Sequence, residues 1–215
     1  MASEEVPDIE LLERWRAGDR QAGNVLLRRH FPGVRAYFVN KLPDEHEDLV
    51  QETFARLVGA RDQFRQEASF RTYLFRIARY VLAEHLRKRY RRGREVEPTS
   101  EPIAYLTDRR PSSVIAERET HRLLLDALRQ VSIDDQDLLE LYYWQDLTAR
   151  EVGSLFSLVE STVRSRIRAA LERLRRVYVE LGDAPHSRDL ELDELEGWLQ
   201  ELRSMIGRAR THQPG

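Results

Sequence analysis

The sequence predicts an all-α protein of two small helical domains joined by a flexible linker, the second with a helix-turn-helix, followed by a C-terminal amphipathic helix. Apolar residues recur every three to four positions through most of the chain, which is the period of a helix with one buried face. No segment alternates apolar and polar residues over the length of a strand, so we predict no sheet. The expected parts are residues 1–92, the linker 93–113, the second domain 114–181 and an acidic extension 182–215.

Composition narrows the function. The chain has 215 residues, a formal net charge of -2, no cysteine and six scattered histidines, so disulfides and thiolate metal sites are excluded. No leader peptide or membrane-spanning apolar run is visible, which predicts a soluble, cytoplasmic protein without a membrane span. Gly-rich phosphate loops and nucleophile elbows are also missing. We therefore expect no enzyme: no catalytic residue, no cofactor and no metal site.

The first domain is predicted to hold four helices. The first spans residues 7–18, and Asp19 caps the second, which Pro32 and Gly33 should bend or interrupt. The second helix has apolar positions Ala22, Val25, Leu26, Phe31, Val34 and Phe38. The third runs from about residue 44 to 59, and the fourth starts at Ser69 as cap and extends to about residue 92.

The third helix is acidic. Its expected inner stripe is Leu49, Val50, Thr53, Phe54, Leu57 and Val58. Asp48, Gln51, Glu52 and Ala55 share the outer face. Acids near a helix N-terminus are stabilising in any case, and no partner for a catalytic carboxylate pair is visible. A protein-docking face is the better use of Asp48 and Glu52.

The fourth helix ends in a basic run with interleaved aromatic side chains. Its charged and stacking residues include Arg79, Tyr80, His85, Arg87, Lys88, Arg89, Tyr90, Arg91, Arg92 and Arg94. Favourable charge at a helix C-terminus needs only one or two cations. Cations combined with stacking groups suit a nucleic-acid backbone and exposed bases, so we predict nucleic-acid contact here.

The linker contains Pro98, Pro102 and Pro111 and lacks periodicity, although Ile103, Tyr105 and Leu106 are apolar enough to dock on a partner surface. Helices over residues 123–131 and 135–144 should follow.

Residues 147–171 form two short helical patterns joined by a tight turn. Thr148 and Glu151 make a capping box for the first helix, whose Val152, Leu155 and Phe156 should face the second. Ser161 or Thr162 is expected to cap the second helix. Its buried stripe is Val163, Ile167, Ala170 and Leu171. Arg164, Ser165, Arg166 and Arg168 then remain for phosphates and base edges, unless this is an ordinary helical hairpin with a solvated basic face.

The C-terminal extension contains an acidic amphipathic helix over residues 189–206. Its apolar stripe is Leu192, Leu195, Leu199, Leu202 and Ile206. Packing on the second domain is the expected role, and the alternative is a protein contact or a DNA-mimicking gate over the basic helices.

Three segments together carry a family resemblance. Residues 48–57 (DLVQETFARL), residues 70–79 (FRTYLFRIAR) followed by LRKR at 86–89, and the helix-turn-helix resemble, in this order, bacterial sigma-70 factors of the extracytoplasmic-function (ECF) group. The resemblance covers about residues 8–180. Within it, Ser157 stands at a turn position where the family usually has Gly, and Gly153 where it usually has Ala.

The resemblance implies an initiation factor that binds core RNA polymerase and directs it to specific promoters. Its partners would be the clamp helices of the largest polymerase subunit, the flap, promoter DNA and, as a further candidate, an anti-sigma factor. The implied core-binding residues are Asp48, Gln51, Glu52 and Phe54. Residues 61–68 would capture a flipped base of the minus-ten element. The implied minus-ten residues are Arg79, Tyr80, His85, Arg87, Lys88 and Arg91. The implied minus-thirty-five residues are Ser161, Thr162, Arg164, Ser165, Arg166 and Arg168.

Two other classes remain. One is a stand-alone helix-turn-helix regulator that binds operator DNA as a dimer, although such a protein needs neither the acidic third helix nor a separate basic, aromatic helix. The other is a nuclease using Asp44, Asp48 and Glu52, which lacks convergent ligands.

Overall fold

The structure, a computed structural model, describes residues 6–90, 98–103, 119–182 and 190–208. These residues are mostly helical and contain no strand; one isolated antiparallel bridge joins Pro102 and Ser132. The predicted all-α class is therefore confirmed. Tyr105, Leu106 and Arg91, to which roles were assigned above, lie outside the described residues.

Four helices build the first half: α1 (Asp8–Arg16), α2 (Arg20–Val39), α3 (His46–Ala60) and α4 (Phe70–Tyr90), with a 3-10 turn at Arg61–Gln63. Both predicted caps are present. The carboxylate of Asp19 accepts the backbone N–H groups of Gln21 and Ala22, and the hydroxyl of Ser69 accepts the N–H of Thr72 at 3.2 Å.

Helix α2 differs from the prediction in two ways. It continues through Pro32, so the interruption is not observed, whereas the bend stays a prediction. The fully buried Leu26 and Val34 pack on either side of the position where proline removes one backbone bond, which favours a continuous helix. Val25 and Phe31, which belong to the apolar pattern of this helix, are 43% and 40% exposed. The neighbouring helices cover a narrower stripe of α2 than its periodicity suggested.

The buried stripe of helix α3 is also narrower than predicted, since Val58 belongs to the predicted inner stripe but is 39% exposed. Helices α1 and α2 cross closely at Gly23, where a Cβ would lie 2.6 Å from the Trp15 ring. Only glycine fits under that indole.

The second half contains α5 (Glu119–Leu128), α6 (Ile133–Leu139), α7 (Ala149–Phe156) and α8 (Glu160–Leu181). Between α6 and α7 the chain forms a π-helical turn at Glu140–Trp144, where a continuous α-helix was expected. The backbone N–H of Gln145 donates to the carbonyl of Glu140, which closes the wider turn. Turns of this kind often mark functional positions, and this one buries both Glu140 and Trp144.

The last described helix is α9 (Leu192–Arg208), whose Leu195, Leu199 and Leu202 are fully buried. One continuous apolar core extends from α1 to α9. It includes Ile103, which packs inside this chain and not on a partner surface. The two halves of the molecule are thus docked on each other.

Candidate nucleic-acid interface

The helix-turn-helix is formed by α7 and α8. Its capping box is complete: Thr148 Oγ1 accepts the N–H of Glu151, and the Glu151 carboxylate accepts the N–H of Thr148. The turn is closed by Ser157 at φ 55, a left-handed conformation that costs a non-glycine residue free energy. The N–H of Leu158 then donates to the carbonyl of Gly153 at 2.9 Å.

Gly153 is what lets the turn approach α7 so closely. A Cβ at this position would lie 2.5 Å from the backbone carbonyl oxygen of Leu158. Side chains do not tolerate such a distance, so the alanine usual in the family would push the turn away. The two departures noted in the sequence, Gly153 and Ser157, therefore belong to one local arrangement.

Helix α8 begins at Glu160 with Val159 as its N-cap and no side-chain cap. The predicted cap at Ser161 or Thr162 is therefore wrong. The helix starts earlier than expected, and the carboxylate of Glu160 in its first turn interacts favourably with the helix dipole. Ser161 and Thr162 instead lie inside the first turn, where Ser161 is exposed and Thr162 is half-buried.

The polar face of α8 is open. The predicted inner stripe of Val163, Ile167, Ala170 and Leu171 is buried, while Arg164, Ser165, Arg166 and Arg168 are all exposed. Arg164 pairs with Glu160 at 2.6 Å, which raises the pKa of Arg164, and Arg168 lies 4.0 Å from Glu172. Such surface pairs contribute little stability, so phosphates can displace the carboxylates.

Helix α4 carries the second basic face. Tyr80 is 58% exposed, and Arg56 lies over its ring at 5.2 Å. Lys88 is exposed and pairs with Glu84 at 2.8 Å, while His85 Nε2 lies 2.8 Å from a carboxylate oxygen of Glu45.

Two further cations near the end of this helix also have partners. Arg89 pairs with Glu45, and Arg87 is half-buried and has a partner as well. The acidic start of α3 thus faces the basic end of α4.

Arg79 does not lie on this open face. Its guanidinium pairs with Asp137 at 2.9 Å and Asp134 at 3.3 Å, and it stacks over Phe156 at 3.7 Å. It also donates to the carbonyl of Leu155 at 2.9 Å. Burial alone would lower the pKa of Arg79, but the neighbouring carboxylates outweigh burial and raise it. The residue expected to contact the melted strand is occupied by the second half of the molecule.

Phe156 is half-buried and its ring lies under the guanidinium of Arg79 on α4, a contact that the sequence did not predict. Periodicity within one helix cannot say which of two neighbours a side chain meets.

The outer face of α3 is as predicted in its exposure. Asp48, Gln51 and Glu52 are exposed, and Phe54 is half-buried. Phe54 stacks on Phe31 with ring centroids 5.9 Å apart. The exposed Phe31 of α2 therefore extends the acidic face with an apolar edge. In the sequence, Phe31 stands out only as an apolar position of α2, and nothing there connects it with α3.

The segment between α3 and α4 forms one wall of an open pocket of about 430 Å³. Its lining includes Gln63, Phe64, Arg65, Tyr73 and Arg76, and also Ser154 of α7. Phe64 and Tyr73 lie 4.8 Å apart at the ring centroids, which supplies an aromatic wall. The second half of the molecule thus contributes to the rim of the pocket.

A buried polar network joins the two halves. Lys41, which is fully buried, pairs with Glu140 and lies 3.3 Å from Asp137. Burial raises the pKa of Glu140, and the nearby ammonium offsets this effect only in part. Arg129 donates to the backbone carbonyl of Asn40 at 2.6 Å.

A second set of hydrogen bonds joins the two halves at the start of α4. Ser69 and Thr72 donate to Glu151 at 2.6 and 3.1 Å. Arg71 donates to the carbonyl of Gln145 at 2.9 Å. None of these pairings was predicted. The one available signal was the acidic run in α6, whose Asp137 lies among apolar residues.

Comparison with known proteins identifies the two halves separately. The family model described as "Sigma-70 region 2" matches residues 26–92, and the model "Sigma-70, region 4" matches residues 127–176. Together they match more than half of the chain. The first segment carries the acidic α3 and the basic α4, and the second carries the helix-turn-helix.

The chain belongs to the sigma-70 family of RNA polymerase sigma factors, in its ECF group. The ECF RNA polymerase sigma-E factor of Haemophilus influenzae is 26% identical over 80% of this chain and 95% of its own length. The RNA polymerase sigma-H factor of Pseudomonas aeruginosa is 27% identical over 78% of this chain and 91% of its own length.

A solved structure has the same fold. It is the sigma factor RpoE of Bartonella quintana, crystallised with the anti-sigma factor NepR, with a TM-score of 0.56. It is 21% identical to this sigma factor and covers 74% of this chain and 96% of its own. Among the described residues, no helix is long and apolar enough to cross a membrane, and no group of three or more His, Cys, Asp or Glu side chains is placed to hold a metal ion.

Proposed function

We propose that this protein binds core RNA polymerase and directs it to particular promoters. One observation carries the proposal: two sigma-70 segments lie in the family's order on one chain, and each presents a surface suited to its task. The first presents an acidic face beside a basic, aromatic one, and the second presents exposed arginines on a helix-turn-helix.

Each surface has an assigned role. The acidic face of Asp48, Gln51 and Glu52, with Phe54 beside it, docks on the clamp helices of the largest polymerase subunit, because charge complementarity steers and orients such contacts. The second domain binds the flap. An anti-sigma factor is a further expected partner, as the Bartonella quintana relative has one.

Promoter DNA meets three surfaces. The pocket beside residues 61–68 holds a flipped base of the minus-ten element. The melted strand and upstream duplex run along Tyr80, His85, Arg87, Lys88 and Arg91, and reach Arg79 once the two halves separate. The start of α8, with Ser161, Thr162, Arg164, Ser165, Arg166 and Arg168, reads the minus-thirty-five element in the major groove.

The proposal assigns no catalytic activity to the chain itself and places its action at RNA polymerase in the cytoplasm. The operator-binding alternative is not favoured, since a dimeric repressor has no use for the region 2 segment.

The decisive experiment mixes the full-length protein with core polymerase and measures complex formation and promoter-dependent transcripts. Asp48→Lys combined with Glu52→Lys should weaken the complex while preserving the helical circular-dichroism signal. Glu10→Lys, an exposed acid on α1, is the matched control and should bind normally. Absence of both complex and transcripts with the unmodified protein would reject the function; undiminished binding of the double variant would reject only the docking face.

A further inference from the structure

Helix α9 lies beyond both sigma-70 segments, the second of which ends at residue 176. It is nevertheless part of the core, since Leu195, Leu199 and Leu202 are fully buried and Trp198 packs against the same cluster. An amphipathic helix buried to this degree is packed in a fixed position on the protein.

Specific contacts fix α9 on the second half. The indole N–H of Trp144, in the π-helical turn, donates to the carbonyl of Leu199 at 3.1 Å. Trp198 lies 5.3 Å from the Tyr178 ring of α8. Arg203 pairs with Asp146 at 2.9 Å, and Glu201 lies 3.2 Å from His121.

The arginines at the start of α8 pair within their own helix. Arg164 lies 2.6 Å from Glu160 and Arg168 lies 4.0 Å from Glu172, whereas Glu201 of α9 pairs with His121 and Arg203 pairs with Asp146. These pairs give no support to a gate in which α9 mimics DNA over the basic helices, the alternative raised from the sequence.

Helix α9 also packs against α2 of the first half. It thus bridges the same two halves that are joined by the buried Lys41–Glu140 and Arg79–Asp137 pairs. Buried ion pairs contribute little net stability compared with apolar packing, because desolvation offsets their attraction. The leucine stripe of α9 contributes apolar burial, which is favourable without a matching desolvation cost.

We propose that α9 is an intramolecular clasp that holds the two sigma-70 segments closed and withholds the DNA-binding residues of α4 until core polymerase separates them. The proposal rests on the proposed function. The closed form occupies Arg79 with Asp137, ties Ser69 and Thr72 to Glu151, and places Ser154 at the rim of the base pocket. Loosening α9 shifts the population toward an open form in which these groups are available.

The test uses the full chain and two fluorophores. Since the natural sequence has no cysteine, Asn24→Cys on α2 and Glu180→Cys on α8, both exposed, give one label on each half. Leu199→Asp should lengthen the distance between the labels in the free protein. Gln200→Asp, the exposed neighbour, is the matched control and should leave it unchanged. Leu199→Ala removes apolar area without adding a charge. It should also lengthen the distance, and it replaces Leu199→Asp if that variant does not fold.

The same variants are titrated with a labelled single strand of about 20 thymidine nucleotides. Basic and aromatic side chains bind the backbone and bases of such a strand without sequence preference. If the open fraction rises from about a tenth to nearly all, the apparent affinity rises about tenfold. A folded Leu199 variant that keeps both the short distance and the low affinity overturns the clasp. So does a complex of the unmodified protein with core polymerase in which the distance stays short. The free-protein measurement needs no polymerase, so its result is independent of whether the proposed function holds.

Discussion

The guanidinium of Arg79 and the carboxylate of Asp137 form an ion pair of 2.9 Å between the two sigma-70 segments of the chain. Arg79 belongs to α4, the helix expected to contact the melted strand. It is paired with an acid of the domain that is expected to read the minus-thirty-five element. The side chain of Asp137 is only 2% exposed, so the pair is shielded from water. If α4 binds DNA as proposed, docking of the two halves and DNA binding compete for the same group.

The energy of this pair can be measured by a double-mutant cycle of Arg79→Ala and Asp137→Ala. Each partner keeps a more distant counter-charge, Asp137 from Lys41 and Arg79 from Asp134, both at 3.3 Å. It loses its nearest buried one, so each single change should destabilise the fold, and the coupling should be about 1.5–3 kcal/mol. Urea unfolding followed by circular dichroism gives the four free energies. Arg76→Ala, an exposed arginine on the same helix, is the control and should change stability by less than about 0.5 kcal/mol. A coupling near zero would mean that the pair does not hold the halves together.

Local features of this fold were predictable, and contacts between distant segments were not. The capping box of Thr148 and Glu151 depends on residues three positions apart, and periodicity located the buried stripe of α8. Lys41 and Glu140 are separated by 99 positions, and no local pattern reports that an acid that follows α6 will meet a lysine that follows α2.

The same limit applies to the candidate site. Exposure of Asp48 and Arg164 followed from helical spacing, whereas the occupation of Arg79 depended on how the two halves dock. The π-helical turn at Glu140–Trp144 also depends on contacts between distant segments. Its wider hydrogen-bond spacing accompanies the burial of Glu140 and Trp144 against other elements.

Gly153 is predicted to be required for the helix-turn-helix geometry. Gly153→Ala places a Cβ 2.5 Å from the Leu158 carbonyl, and such overpacking should cost about 1–3 kcal/mol. The matched control is Gly59→Ala in α3, where a Cβ meets nothing within 4 Å; there alanine should stabilise the helix by about 0.5–1 kcal/mol. Opposite signs in thermal unfolding are expected. Stabilisation by both changes would show that the turn relaxes freely.

Glu151 should make the stability depend on pH. Burial raises the pKa of this carboxyl, but hydrogen bonds donated by Ser69, Thr148 and Thr72 outweigh burial and hold the pKa below the ordinary value of 4.5. The ionised carboxylate therefore stabilises the folded form above that value, and this contribution is lost as the pH falls through the lowered pKa.

The corresponding measurement compares the unmodified protein with Glu151→Gln by urea unfolding between pH 7 and pH 3.5. The stability difference should be largest near neutrality and should shrink below about pH 4.5. Ser69→Ala, which removes one donor, should show a smaller pH-dependent part than the unmodified protein. A stability difference that is constant over this range would contradict the assignment.

The exposed arginines of α8 should divide into residues that read bases and residues that contact phosphates. Arg164→Ala, Arg166→Ala and Arg168→Ala are tested with polymerase holoenzyme on a library of minus-thirty-five variants. Loss of a base reader should change the preference at one position by roughly tenfold or more, whereas loss of a phosphate contact should weaken all sequences alike and lower the salt dependence.

Arg176→Ala provides the control, because this arginine is exposed on the same helix but lies three turns or so beyond Arg164. It should leave both preference and affinity unchanged. If the three N-terminal variants behave like Arg176→Ala, the start of α8 is not the reading surface. If Arg176→Ala behaves like them, the whole basic face attracts DNA without reading it, because phosphate contacts alone carry no sequence information.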